Sequence, residues 1–171
     1  MEGFYEEVIG SRSFASIWYW IVYALLWTRA THWTLGVPYE DARNAIVHGD
    51  QHMIDFETQM EINTRKRMAV FNAYPVIAVG AIAFLLATVF MLGFSFGIQF
   101  MQASFLLAFP LTIVTVLSLR LATVVDAKGL RGSDLYRAYV WHRRTKQAIG
   151  GVSIFCSAFW GVSQTLFSPY A

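Results

Sequence analysis

The sequence is poor in charged residues. Asp, Glu, Lys and Arg make up 14% of its 171 residues, against about 25% in an average soluble domain. None of the 52 residues from Met68 to Leu119 is charged. A soluble domain could not solvate its surface with such a run, so the sequence argues against a soluble globular protein. A single membrane anchor is also excluded, because 52 residues of helix would extend about 78 Å, across a hydrocarbon core of about 30 Å.

Cysteine is nearly absent as well. The chain has one, Cys156, which excludes an internal disulfide and an iron–sulfur cluster ligated within one chain. The sequence also lacks a phosphate loop and a dinucleotide fingerprint, so we predict no cofactor. The acidic N-terminus lacks the basic start of a secretory signal, so we expect the first apolar stretch to remain as a membrane helix.

What the sequence has is apolar residues, 56% of the total. They group into four segments, at about 14–34, 69–92, 98–119 and 148–167. Each is long enough to cross a bilayer as a helix. The second and third are joined by a glycine-bounded turn, Gly93 to Gly97. The sequence therefore predicts an all-α membrane protein with four transmembrane helices in a single membrane domain over residues 1–171.

The basic residues predict the orientation. Of the 13 Lys and Arg residues, all but Arg12 lie between Arg29 and Arg67 or between Arg120 and Lys146. The positive-inside rule makes that side cytoplasmic. Both termini are then outside, and the segments at about 35–68 and 120–147 form cytoplasmic helical extensions. This pattern predicts a multi-pass membrane protein.

Two helix faces are predicted to pack. In the first cytoplasmic segment, apolar residues recur at spacings of three and four, with Ile46, Met53, Phe56 and Met60 as the main positions. This seam is compatible with packing on the other cytoplasmic segment, with a self-associating coiled coil, or with a membrane-surface helix. In the fourth span, small residues recur at intervals of four and favour close approach of another helix; they are Ser153, Ser157, Gly161 and Thr165.

No catalytic set is found. Gly93 to Gly97 matches the serine-hydrolase pattern G-x-S-x-G, but all four histidines lie on the other side of the predicted bilayer. His48, His52 and Asp55 share a helix face and are weak metal candidates without further ligands. His32 and His142 lie at predicted cytoplasmic helix ends, where they cannot ligate a haem deep in the bundle. We therefore predict that the chain is not an enzyme.

The uncharged polar residues of the spans leave one alternative function open. Spans two to four contain no ionisable group of the kind that coupled transport needs. An oligomeric channel or small-solute pathway stays open, lined by residues among Asn72, Gln99, Gln102, Thr112 and Thr115. Pro110, inside the third span, is expected to kink it and to free the carbonyl of Leu106.

Several stretches also suggest a family. Thr31-His32-Trp33-Thr34-Leu35-Gly36-Val37-Pro38-Tyr39 and Phe105-Leu106-Leu107-Ala108-Phe109-Pro110 resemble a family of small alphaproteobacterial membrane proteins. Members are often labelled as a component of the SufBCD complex, and the resemblance covers most of the chain. It implies a location in a bacterial inner membrane and, by its label, a connection to iron–sulfur cluster assembly. It assigns no catalytic residue.

Together these features predict a non-enzymatic accessory or structural subunit of a membrane complex, or a homo-oligomer. Its expected partners are the lipid bilayer and other membrane subunits or copies of itself, and not nucleic acid, because the basic residues flank apolar segments.

Overall fold

The computed structural model describes residues 17–167, without the side chains of residues 165 and 167. The first three residues of the first predicted span, and Arg12, lie outside the described residues. The described chain is all-α, as predicted, apart from one short hairpin. Its elements are α1 Ile17–His32, β1 Trp33–Thr34, β2 Val37–Pro38, α2 Tyr39–His48, α3 Asp50–Ala73, α4 Pro75–Phe90, a π-helical turn Met91–Ser95, α5 Gln99–Lys128 and α6 Gly132–Phe167.

Two stretches of helix are long and apolar enough to cross a membrane. They are Pro75–Ser95, with 21 residues, and Gln99–Lys128, with 30. The described part of α1 has 16 residues and is about 24 Å long, shorter than a bilayer core. Helix α6 combines a charged first half with a second half rich in glycine and serine. By length and composition, the structure therefore supports two of the four predicted spans.

The second predicted span begins later than the sequence pattern indicated. Helix α3 continues through residues 69–73 and ends at Ala73, with Tyr74 as its C-cap, and α4 begins at Pro75. Proline lacks an N–H and disfavours a helical conformation in the preceding residue. Tyr74 accordingly has φ −143° and ψ 59°. The apolar run from Ala69 therefore does not form one helix with α4.

A tight β-hairpin joins α1 to α2, where the sequence pattern predicted the end of a span and the start of a helical extension. Trp33 pairs with Pro38 and Thr34 with Val37, so Leu35 and Gly36 form a two-residue turn. Both have positive φ, 52° and 80°, which is the requirement of a type I′ turn. Leu35 is buried, so burial of its side chain compensates for a backbone conformation that leucine rarely adopts.

The predicted cytoplasmic seam is divided between two helices. Gly49 separates α2 from α3 with φ 61° and ψ −152°, a conformation essentially confined to glycine. The spacing of the seam residues therefore does not continue along one helix axis.

The described residues form two compact units. Unit 2 comprises Thr28–Ala78 and Ile113–Ala148. It has a hydrophobic core drawn from the hairpin, α2, α3, α5 and α6. The fully buried residues of this core include Leu35, Val37, Phe56, Met60, Leu135 and Tyr139. The ring of Phe56 meets that of Tyr139 edge to face, with centroids 5.7 Å apart.

Unit 1 comprises residues 17–27, 79–112 and 149–167 of the described chain. Large apolar side chains lie on its outside, and Phe84 and Phe155 are each 71% exposed. Its interior holds polar residues, among them Ser153, Ser157 and Gln102. This distribution is the reverse of the one in a water-soluble domain, where large exposed apolar patches are rare.

Candidate functional site

Unit 2 buries a lysine without a carboxylate partner. Lys146 is 2% exposed. Its Nζ donates hydrogen bonds of 2.8 Å to the backbone oxygens of Ala30 and Trp33, and no described acidic side chain forms an ion pair with it. Carbonyls in the last turn of a helix lack intrahelical partners, so Lys146 satisfies the end of α1. Burial, together with Arg67 and Arg143, lowers the pKa of Lys146 to about 8.

One helical turn earlier, α6 buries a histidine. Nε2 of His142 lies 3.1 Å from Oγ of Ser118, and the Ser118 hydroxyl donates to the backbone oxygen of Val114 at 2.8 Å. Because the serine proton is used in that second bond, the His142 ring donates from Nε2. Burial, followed by the charges of Lys146 and Arg67, lowers the pKa of His142 to about 4.

The two residues join elements of unit 2 through hydrogen bonds. His142 is neutral at pH 7, both side chains are buried, and each is hydrogen-bonded within the chain. Tyr139, on the same helix, donates a 3.0 Å hydrogen bond to the backbone oxygen of Val37 in the hairpin. These residues of α6 therefore hold the end of α1, the hairpin and the second half of α5 together in unit 2.

Unit 2 also contains a cavity of about 250 Å³. It lies between α3, the end of α5 and the start of α6, and its polar lining residues are Glu57, Glu61, Thr64, Arg65, Asp126 and Arg131. Glu57 accepts a 2.6 Å hydrogen bond from the N–H of Gly132 at the start of α6. A carboxylate at a helix N-terminus satisfies an unpaired N–H and the helix dipole. The Glu57 side chain therefore caps the N-terminus of α6 and stabilises the fold.

The seam residues occupy different environments. Phe56 and Met60 are buried in the core of unit 2, Met53 packs against that core, and Ile46 is 44% exposed. The first of the three interpretations, packing on the other cytoplasmic segment, matches the positions of Phe56 and Met60, because the core they share includes residues of α5 and α6.

The small-residue stripe of α6 lies inside unit 1. Ser153, Ser157 and Gly161 are buried, and the side chain of Thr165 lies outside the described residues. Ser153 hydrogen-bonds to the hydroxyl of Tyr23 and donates to the backbone oxygen of Leu106 at 3.4 Å. Leu106 is four residues before Pro110, whose missing N–H frees that carbonyl. The contacts of Ser153 are therefore with α1 and α5 of the same chain.

The buried stripe of α6 extends beyond the four residues that were predicted from the sequence. Continued backwards from Ser153 at spacings of three and four, it passes through the buried residues Gly150, Lys146, His142, Tyr139 and Leu135. The signal that could have identified Lys146 and His142 as buried was this period, which their polarity obscured.

The five suggested pore residues differ in burial and in hydrogen bonding. The amide of Gln102 donates to the backbone oxygen of Gly93 at 2.9 Å and accepts from the indole of Trp160 at 3.0 Å. Thr112 donates to the backbone oxygen of Ala108 in its own helix. Asn72 and Thr115 are exposed, and Gln99 is half-buried.

The suggested metal ligands do not form a site. The rings of His48 and His52 lie 5.3 Å apart, and Asp55 accepts a hydrogen bond from Gln51 at 2.9 Å. Within residues 17–167, no group of three or more His, Cys, Asp or Glu side chains is arranged to hold a metal ion. His32 is exposed, and His142 is engaged with Ser118.

Comparison with protein-family models, with curated proteins and with solved structures finds no match to this chain.

Proposed function

We propose that this chain is a four-span protein of a bacterial inner membrane that acts as a non-enzymatic accessory or structural subunit, or as a homo-oligomer. The observation that carries the proposal is the inverted surface of unit 1. Phe84, Phe155 and Phe159 are each about 70% exposed, whereas Tyr23, Ser153 and Gln102 form hydrogen bonds inside. Lipid solvates such an exterior, and interior hydrogen bonds join helices in a bilayer.

The composition of unit 1 supports four crossings. Besides most of α4 and the first half of α5, it contains part of α1 and the second half of α6. Val152, Phe155 and Phe159 of α6 are more than 60% exposed. An uncharged helix with such a face gains free energy in lipid even where glycine and serine reduce its mean hydropathy. With four crossings, the basic segments share one side and both termini lie on the other.

Labelling of single cysteines tests two requirements of this topology, the crossing by α5 and the orientation. Cys156 is replaced by serine, and Ser95→Cys or Lys128→Cys is then introduced. We expect a membrane-impermeant maleimide to label Ser95→Cys in spheroplasts and Lys128→Cys only after lysis. Labelling of both sites in intact spheroplasts would contradict four spans, and the inverse pattern would contradict the orientation.

Native mass spectrometry from native membranes tests the subunit role. After the detergent is removed in the mass spectrometer, we expect the chain to stay bound to a second copy or to another membrane protein. The ratio of the subunits should be constant. A strict monomer without a copurifying protein would overturn this role. The resemblance to small alphaproteobacterial membrane proteins supports the inner membrane as the source from which to isolate the complex.

A further inference from the structure

The charges of unit 2 are separated by sign along helix α6. At the start of the helix, the N–H of Gly132 donates to Glu57, and Arg131 interacts with the same carboxylate at 3.5 Å. Lys146 lies 14 residues further along α6, about 21 Å away along the helix axis. The charges that act on its ammonium group are those of Arg67 and Arg143, and both lower its pKa. The start of α6 therefore pairs opposite charges, whereas the region around Lys146 collects cations.

These cations border the predicted spans. We consider the five residues next to each span on its basic side, which are residues 35–39, 64–68, 120–124 and 143–147. They include seven Lys and Arg residues and no Asp or Glu; the seven, called the basic band below, are Arg65, Lys66, Arg67, Arg120, Arg143, Arg144 and Lys146. The described acidic residues all lie farther from the spans. A charge of either sign would end an uncharged run, so the presence of cations alone is a separate observation.

One arginine of the basic band is held in place by an aromatic ring. Arg143 is half-buried, and its guanidinium carbon lies 3.9 Å from the centroid of the Tyr39 ring. Tyr39 directly follows the hairpin, which also provides the Trp33 carbonyl that binds Lys146. A cation–π contact restricts an arginine without neutralising its charge. Arg143 is therefore oriented before any anion binds, whereas Arg67 is exposed on α3.

Exposed aromatic side chains accompany the basic band. Trp33, at the end of α1, is 49% exposed, and Tyr74, seven residues after Arg67, is 68% exposed. Tryptophan and tyrosine are enriched at the headgroup level of a bilayer, where one part of the ring contacts lipid and the other water. These neighbours favour a lipid surface over an acidic protein as the partner of the band.

We propose that the basic band binds the headgroups of acidic phospholipids in the cytoplasmic leaflet, with Arg67 and Arg143 contacting the phosphate. Arginine binds phosphate oxygens bidentately, and acidic lipids attract basic residues that lie next to membrane spans. Lys146 is not one of the contacts, because it is buried and donates to two carbonyls. The proposal rests on the four-span topology, which brings the four bordering stretches to one surface of the bilayer.

Titration of the full-length protein in an uncharged detergent tests the proposal. Short-chain phosphatidylglycerol is compared with phosphatidylcholine, which has the same phosphate but a compensating choline cation. The lipid concentration at which the melting temperature rises half-maximally gives the apparent affinity. We expect a saturable rise, with an affinity at least about tenfold higher for phosphatidylglycerol. Sodium phosphate should not reproduce it, because free phosphate lacks the acyl chains that anchor a headgroup beside the band.

Equal affinities for the two lipids, no rise with phosphatidylglycerol, or equal stabilisation by sodium phosphate would each overturn the proposal. The maleimide labelling of Ser95→Cys and Lys128→Cys separates this failure from failure of the topology. Expected labelling together with equal lipid affinities rejects the lipid site alone, whereas labelling that contradicts four spans rejects both.

Matched variants locate the headgroup. Arg67→Gln and Arg143→Gln should each lower the apparent affinity for phosphatidylglycerol about fivefold, the contribution of one basic residue near an anionic surface. Lys128→Gln removes the same charge at the end of α5, outside the basic band, and should bind as the wild type does. The melting temperature without lipid checks folding, and the exposed Arg67 provides the test if Arg143→Gln does not fold. Unchanged affinity in Arg67→Gln, or an equal loss in Lys128→Gln, overturns the assignment.

Discussion

At the scale of residues, burial decides the chemistry of His142 and Lys146 more than residue type does. Both belong to residue types that are usually exposed or solvated. In unit 2 they are 6% and 2% exposed, and their hydrogen-bond partners are a serine and two backbone carbonyls. A buried base without an acidic partner favours its neutral form, so both groups link stability to pH.

The first prediction concerns His142. Its pKa is about 4 in the folded chain, below the ordinary value of 6.5, so between these values the unfolded chain binds more protons. Its contribution to stability is present above pH 6.5 and is lost as the pH falls towards 4. We expect acidification from pH 7 to 4.5 to lower the free energy of unfolding by about 2 kcal/mol through this residue alone. Lys146 stays charged throughout this range and does not contribute to the change.

His142→Gln provides the comparison. The variant removes the titrating group, so its melting temperature should fall less on acidification than that of the wild type. The control is His48→Gln, because His48 is exposed, and its pH profile should match the wild type. Parallel profiles for the wild type and His142→Gln would contradict the assigned shift.

At the scale of elements, the turn between α4 and α5 depends on a glycine. A Cβ at Gly93 would lie 2.8 Å from the backbone nitrogen of Gln102 and 3.1 Å from the carbonyl carbon of Met101. The missing side chain lets the π-helical turn approach α5, and the side chain of Gln102 donates to the Gly93 carbonyl.

We therefore predict that Gly93→Ala destabilises the protein by about 2 kcal/mol or more, because backbone atoms cannot yield to the added methyl group. Gly80→Ala is the matched control, since nothing lies within 4 Å of its Cβ and alanine is the better helix former. Melting temperatures in one detergent compare the two variants. A Gly93→Ala variant as stable as Gly80→Ala would contradict the close approach.

The seam in α2 and α3 gives a further prediction. Met60 is fully buried and Ile46 is 44% exposed, although both occupy equivalent positions in the sequence pattern. We expect Met60→Ala to cost about 2–5 kcal/mol, and Ile46→Ala to cost less than about 1 kcal/mol. Equal losses from the two variants, measured by thermal unfolding, would indicate instead that the whole seam is covered, as in a self-associating coiled coil.

At the scale of the whole molecule, the proposed topology depends on whether each surface contacts lipid or water. The second half of α6 exposes Phe155 and Phe159, whereas its first half exposes Trp141 among several charged residues. The proposed topology assigns lipid to the former surface and water to the latter.

A lysine substitution in each surface distinguishes contact with lipid from contact with water. In lipid, Phe155→Lys replaces a favourable residue by one that costs about 3 kcal/mol at a helix centre. We expect less of this variant to remain in the membrane fraction after alkaline carbonate extraction. Trp141→Lys, at a residue that is 73% exposed, should stay in the membrane as the wild type does. Retention of Phe155→Lys at the wild-type level would contradict burial of this face in the bilayer.

Much of the fold was predictable from local patterns. The all-α class and the turn around Gly93 follow from hydrophobic runs and glycine placement. The boundary at Pro75 was also readable, because the proline is visible in the sequence, but the apolar run across it obscured the break. The hairpin at Leu35 and Gly36 was not predictable in this way, because leucine is a poor turn residue and only its burial in unit 2 stabilises the positive φ.

The sequence by itself determined that the chain is helical, that a long stretch carries no charge, and that its basic residues are grouped. These properties follow from the order of the residues. They depend on the hydrophobicity and the backbone preference of each segment, which act locally along the chain. Only the tertiary structure decided which polar groups are buried and with which partners. Ser153 donates to the carbonyl freed by Pro110, Lys146 donates to the end of α1, and Oγ1 of Thr64 is buried without a hydrogen-bond partner among the described residues. The physical reason is that hydrogen bonding and desolvation depend on atoms brought together from distant parts of the chain.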